Sequence, residues 1–192
     1  MTDRARHDPP VTPAGTSFAS AALLRPITID ELSTVRHLHL MSARRLSASH
    51  LSEAELQAFC DHINSDPYTV RLIDQVRQGR LIAATLMDEI VATAGWIPAN
   101  DSGATARMMA IFVAPLYALH GLGRLVVEAA EAQAAYAGFR VFTHRAPIGA
   151  VGFFTRLGYD TASHGVWMLP NDQPMPVGFM RKVAGNLPPP KR

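Results

Sequence analysis

Two glycines one residue apart, Gly121 and Gly123, follow an apolar run and a proline bend in the segment VAPLYALHGLG, Val113–Gly123. They stand just before residues with helical spacing. Such a turn leaves backbone N–H groups unpaired at a helix N-terminus, where amide donors and the positive end of the helix dipole hold phosphate. A Gly-x-Gly alone occurs in many turns; here its flanks strengthen it. His144 falls near the end of a strand-like run, and a histidine titrates close enough to neutrality to act as base or acid. Asp88 and Glu89 read as solvated turn residues, and Asp101 falls in a loop. Cys60, the only cysteine, lies in an apolar helical pattern and reads as a buried structural thiol. His37 and His39 are two apart on a helix and face different ways, and the other histidines lack ligand spacing, so no metal is expected.

These residues need a scaffold, and the composition bounds it. The 192 residues, 48 % hydrophobic and 18 % charged, suit one globular domain with a sizeable core. The formal net charge is only +2 and no basic run with interleaved aromatics occurs, so nucleic acid is not expected as a partner. The apolar runs are too short to span a bilayer, the first twenty residues lack the apolar core of a signal peptide, and one cysteine fits a reducing compartment. The expectation is a cytoplasmic protein without membrane contact. Residues 1–20 and 185–192 read as disordered polar tails around one domain at residues 21–184.

Within the domain, Ala21 to Pro26 reads as a strand. Thr28-x-x-Glu31 and Ser52-x-x-Glu55 read as capping boxes opening two helices, the second ended by Asp66-Pro67. Tyr68 to Gln78 fits a helix as well as a strand. Arg80–Met87 and Ile90–Ile97 form a hairpin about Asp88-Glu89, and Thr105–Val113 is a further strand. A helix runs from Leu122 toward Gly138, followed by a strand at Arg140–Arg145 and a short helix at Ile148–Leu157. Tyr159–Ser163 and Gly165–Leu169 read as two strands, and Val177–Val183 extends the sheet. This order predicts an α/β fold with a mixed sheet and helices on both faces.

Over roughly residues 21–183 the chain resembles the GNAT superfamily of N-acetyltransferases. Val113, Pro115, Tyr117, Gly121, Leu122 and Gly123 fit that family's pyrophosphate motif. Ala150, Phe153, Arg156, Leu157, Gly158 and Tyr159 fit its second motif, and Gly95-Trp96 is also similar. The resemblance implies the acyl-CoA N-acyltransferase fold, with a central sheet of six to seven strands. It implies acetyl-CoA as co-substrate and direct transfer of the acetyl group to a primary amine of a small molecule, amino acid or peptide. The strand backbone at Ile111, Phe112 and Val113 would hold the pantetheine arm. The amides of Leu119, His120, Gly121, Leu122, Gly123 and Arg124 would hold the diphosphate. Ala118 and Phe153 would complete the donor site, with Arg124 and Arg156 reaching further phosphate oxygens. For both arginines a solvated helix face stays open.

Transfer to an amine needs a neutral nucleophile, a polarised thioester carbonyl and a thiolate that can leave. The Val113 N–H is expected to polarise the carbonyl and His144 to move the proton, a structural histidine being the other reading. His120 is expected to contact phosphate. Trp96, Asp101 and Trp167, with Tyr68 and Phe142, could line the acceptor pocket or pack the core. The chain departs from the family pattern at Ala118, Leu119 and Pro147, and at Phe154, where many relatives carry a tyrosine that protonates the thiolate. The alternative is therefore a catalytically silent acyl-CoA-binding protein of the same fold. A homodimer stays open.

Overall fold

The computed structural model describes residues 17–99 and 103–185. Most of the expected tails, and Asp101, lie outside the described residues. Residues 17–20, assigned to the N-terminal tail from sequence, instead enter a helical turn, α1 (Phe18–Ala21), whose Phe18 ring packs edge-on against Tyr117 at 5.4 Å. An apolar ring with a ring to pack on is the signal the polar composition of the tail obscured.

One seven-stranded sheet organises the domain: β1 (Leu23–Pro26), β2 (Leu81–Leu86), β3 (Glu89–Pro98), β4 (Thr105–Val113), β5 (Val141–Pro147), β6 (Asp160–Met168) and β7 (Pro174–Val183). Its order is β1-β2-β3-β4-β5-β7-β6. Only β4 and β5 run parallel. On one face α2 (Leu32–Leu46), α3 (Glu53–Asn64) and α4 (Asp66–Arg77) cover a core that includes Val35, Ile63 and Leu72. On the other, α5 (Leu122–Tyr136) and α6 (Val151–Arg156) cover a second core around Val126, Ala130, Phe142 and Phe154. The mixed sheet between helical layers matches the fold expected from sequence.

Local chemistry explains the boundaries. The Ser52 box is formed: Ser52 N–H donates to Glu55 Oε2 at 2.7 Å and Glu55 N–H donates to Ser52 Oγ at 3.3 Å. Asp66-Pro67 ends α3 and also begins α4, because Ser65 accepts from the Tyr68 N–H at 3.4 Å and proline suits a first helical turn. That cap resolves the ambiguous segment as helix. The hairpin tip is Met87-Asp88 rather than Asp88-Glu89; both have positive φ (46° and 66°), as a tight two-residue turn requires. The two expected strands after Tyr159 are one strand, β6, with an irregularity between Thr161 and Ser163 that shifts the register.

Candidate functional site

The ladder between β4 and β5 is short. It holds only Thr105↔Val141, Ala106↔Phe142 and Arg107↔Thr143, after which the strands part. Parting strands leave backbone groups without ladder partners. Into this gap opens a cleft of about 840 Å³ whose wall includes Ile111, Phe112 and Val113. At one end the cleft meets the turn with Ala118, Leu119, Gly121, Gly123 and Arg124. At the other it meets Phe59, Tyr68 and Trp167, beneath α3 and α4.

The turn has the expected form. Leu119 (φ 66°) and Gly121 (φ 83°) are left-handed, and no side chain among the described residues caps α5. The N–H groups at the start of that fifteen-residue helix are therefore open to an anion. Space at Gly123 is tight: a Cβ there would stand 3.2 Å from the Phe153 ring, which lines the cleft beside it and would have to shift slightly. Leu122 points into the core and contributes only its backbone. The His120 ring does not face the cleft; it packs on Phe18 at 4.9 Å, and its Nδ1–H donates to the Ala118 carbonyl at 2.7 Å. Arg124 and Arg156 both line the cleft; Arg124 also pairs with Glu128 at 3.1 Å, whereas Arg156 forms no ion pair among the described residues.

Midway along the cleft stands His144. Its Nδ1–H donates to the Met108 carbonyl at 2.8 Å, which fixes the tautomer, since a carbonyl only accepts. Nε2 then carries the lone pair. It has no partner among the described residues and is not sealed in the core. Burial pushes the pKa of His144 down to about 4, against the opposing pull of the Met108 carbonyl. The ring lies on Phe154, centroids 4.3 Å apart, so the phenylalanine in the tyrosine position packs directly against the imidazole.

A buried chain of hydrogen bonds shapes the strand beside it, and the sequence reading missed it. Tyr68 O–H donates to His39 Nδ1 at 2.9 Å, His39 Nε2–H donates to Thr93 Oγ1 at 2.8 Å, and Thr93 O–H donates to the Ala110 carbonyl at 2.7 Å. The directions follow from the last bond, because the carbonyl must accept. Ala110 is left-handed (φ 53°), and the register jumps from Thr93↔Phe112 to Gly95↔Met109, which marks a β-bulge. In a trans peptide the C=O and the next N–H point in opposite directions. The chain that holds the Ala110 carbonyl therefore aims the Ile111 N–H away from α2. Burial lowers the pKa of His39 to about 3 and raises that of Tyr68, keeping both neutral. No pattern in the sequence links residues 39, 68, 93 and 110; only the left-handed alanine, visible in the fold, betrays the site.

Of the four aromatic residues for which pocket and core were both open, Trp96 and Phe142 are core. Trp96 is buried under α5, donates from Nε1 to Gln133 Oε1 at 2.8 Å and carries Arg80 over its ring at 4.6 Å; it does not line the cleft. Phe142 is buried in the same core. Trp167 and Tyr68 do line the cleft, with His62 packed edge-on against Trp167 at 4.8 Å.

The profile described as the acetyltransferase (GNAT) family matches residues 48–159. The chain belongs to that family. Solved structures share the fold of this GNAT protein. One, described as "GCN5-Related N-acetyltransferase: Aminotransferase, Class-II" from Rhodopseudomonas palustris, superposes with a TM-score of 0.73 at 21% identity, over 85% of this chain and 96% of that one. The yncA putative acetyltransferase from Salmonella typhimurium, solved with acetyl-CoA, gives 0.65 at 12% identity, over 88% and 98%. The PaiA N-acetyltransferase from Thermoplasma acidophilum, in complex with coenzyme A, gives 0.62 at 14% identity, over 84% and 98%. No curated protein matches the chain by sequence. Among the described residues no helix is long and apolar enough to cross a membrane, and no group of three His, Cys, Asp or Glu could hold a metal.

Proposed function

We propose that this GNAT protein transfers an acyl group, acetyl in the first instance, from acyl-CoA to the nitrogen of an amine held in the same cleft. One observation carries the reading: a single cleft joins an uncapped helix N-terminus to the gap between β4 and β5, with His144 in it. The open amides of the Gly121 turn suit the diphosphate of coenzyme A, with Arg156 beside them. The gap suits the pantetheine arm, whose amides would pair with strand backbone left free by the short ladder.

The carbonyl-polarising donor fits the Ile111 N–H better than that of Val113. Val113 lies at the phosphate end, where the arm enters. Ile111 lies deeper, and its peptide is held by the Thr93 bond, so little reorganisation is needed as charge develops on the oxygen. The amine lone pair attacks the thioester carbon and a C–N bond forms. His144 Nε2 takes the N–H proton as the nitrogen becomes cationic. The C–S bond then breaks and the imidazolium gives that proton to the departing sulfur. Burial holds the His144 imidazolium below the usual histidine range, so giving its proton to a thiolate, whose own pKa is about 8.5, is downhill, while its uptake of the proton is driven by the rising acidity of the nitrogen as the C–N bond forms. His144 thus covers the proton donation that Phe154 cannot supply.

The test begins with the donor. Acetyl-CoA should raise the melting temperature in a concentration-dependent way. Gly121→Asp, which adds a like charge in the phosphate turn, should weaken binding by at least tenfold while Gly121→Ala controls for strain at a left-handed position. Equal affinity in the aspartate and alanine variants removes the phosphate assignment. Tight acetyl-CoA binding without free thiol from any amine would favour the silent acyl-CoA-binding protein.

A further inference from the structure

The end of the cleft remote from the phosphate turn is lined by three arginines from three elements: Arg71 on α4, Arg107 on β4 and Arg145 on β5. None forms an ion pair among the described residues. The cleft wall contains no aspartate or glutamate among the described residues. Converging cations without a carboxylate repel one another. Burial, and then the charges of Arg145 and Arg71, push the pKa of Arg107 down, and Arg71 adds to the burial that lowers His62. Proteins offset such repulsion with a counter-ion, and the described residues of the wall supply none.

The phosphates of the donor are too far away to be that counter-ion. Arg107 precedes Val113 by six residues of strand, about 20 Å at the usual rise. It lies instead below the bulge, on the side from which an acceptor would approach. Arg107 and Arg145 occupy the face of the sheet covered by α2, α3 and α4. Their strand neighbours Ala106, Met108 and Ala146 belong to the opposite core, and Arg145 pairs in register with Phe179 of the α3 side. Arg71 comes from the helical layer above. The cleft is thus cationic at both ends, with Arg156 at the phosphate end and the trio at the other.

We infer that the acceptor is an amine that also carries a carboxylate, as a free amino acid or a peptide with its own carboxylate does, and that Arg71, Arg107 and Arg145 bind that group. This rests on the proposed acyl transfer and names the acceptor class for it. A planar guanidinium matches a carboxylate through paired N–H donors, and the charge selects against polyamines and aminoglycosides. Arg107, half-buried and fixed on the strand, is the anchor, while the exposed Arg71 and Arg145 complete the field. The apolar wall from Phe59 and Trp167 takes the remainder of the acceptor.

The experiment has three arms. Calorimetry with acetyl-CoA tests the donor. Free-thiol release is then measured with the α-amino acids, short acidic peptides, their carboxamides and a set of diamines. The same compounds are added to the coenzyme A-loaded protein in a thermal-shift assay, which reads binding without turnover. At least one carboxylate amine is expected to react with a kcat/KM tenfold or more above its carboxamide. Arg107→Gln should lower that acid-to-amide ratio by about tenfold to a hundredfold, the size of a lost charge-assisted pair, through KM rather than kcat. Arg71→Gln gives the same readout with smaller effect and serves if Arg107→Gln fails to fold. The proposal is overturned if carboxamides or diamines react as well as the acids. It is equally overturned if acetyl-CoA binds but no carboxylate amine either reacts or stabilises the loaded protein. Failure of acetyl-CoA to bind removes the acyl-transfer reading itself, and with it this inference.

Discussion

His144 and Phe154 lie ring on ring, and the contact gives each its meaning. Phe154 is buried against His144 and Tyr159, so it helps keep the imidazole poorly solvated and neutral. A histidine held near pKa 4 has its lone pair available throughout the neutral range, and its imidazolium is more acidic than an ordinary one. With the amine's own ionisation accounted for, kcat/KM should show no inflection near 6.5; the loss attributable to His144 comes as pH falls through about 4. His144→Gln keeps a donor for the Met108 carbonyl but cannot shuttle the proton. Its kcat should fall about a hundredfold or more, the usual scale of general acid–base assistance, with acetyl-CoA affinity unchanged. A kcat within threefold of the parent would show that solvent carries the proton instead. The sequence marked His144 because it is titratable and ends a strand before a short helix. Its tautomer, its depressed pKa and its stacking depend on a neighbour ten residues on and a carbonyl thirty-six residues back, which no local pattern encodes.

At the scale of elements, the working part is the bulge in β4. Alternation along Thr105–Val113 reads as an ordinary strand from sequence, yet the left-handed Ala110 re-aims the peptide that follows it. A left-handed alanine costs about 1 kcal/mol or more, so the fold must hold it there. The holding device is the relay from α4 through α2 and β3: Tyr68, His39 and Thr93. Thr93→Val keeps shape but leaves the His39 N–H and the Ala110 carbonyl unpaired in the core. Unfolding in denaturant should show a loss of about 1–3 kcal/mol. If the relay aims the Ile111 N–H, kcat should fall further than acetyl-CoA affinity, and Thr93→Ser, which restores the hydroxyl, should recover both. A valine variant that is less stable but turns over normally would leave the relay a purely structural role. Elements with caps written locally, such as Ser52–Glu55 before α3 and Gly121 before α5, were legible in the sequence. The bulge and the single bent β6 were not, because both arise from pairing between distant strands.

Across the whole molecule, three neutral histidines stitch the α2–α4 layer and the cleft to the sheet. His39 is held at about 3, His62 at about 4 and His144 at about 4, in each case chiefly by burial. The sign of their effect on stability follows. A histidine in the unfolded chain titrates near 6.5 and in the native state well below it. As pH falls through 6.5 the unfolded chain takes up protons that the native state refuses, so stability present above that pH is lost progressively toward 4. Each such histidine contributes a slope of up to about 1.4 kcal/mol per pH unit in that window. Glu31, held down to about 2 by its bond to Arg25, adds its own loss only below its ordinary value of 4.5. Between pH 6.5 and 5 the slope therefore reports on the histidines. The melting temperature should drop steeply over that interval, and a fully buried His39 makes the sharpest probe. His39→Gln removes the ionisable group, so the variant should be less stable at pH 7, where its bonds to Thr93 and Tyr68 are lost. It should also be less sensitive to acid, with the slope reduced by about one third. Proton uptake on unfolding, measured by calorimetry in buffers of different ionisation enthalpy, gives the same count independently. A parent protein that melts at the same temperature at pH 7 and pH 5 would mean that these rings are not held neutral, and the poised His144 of the cleft would lose its basis with them.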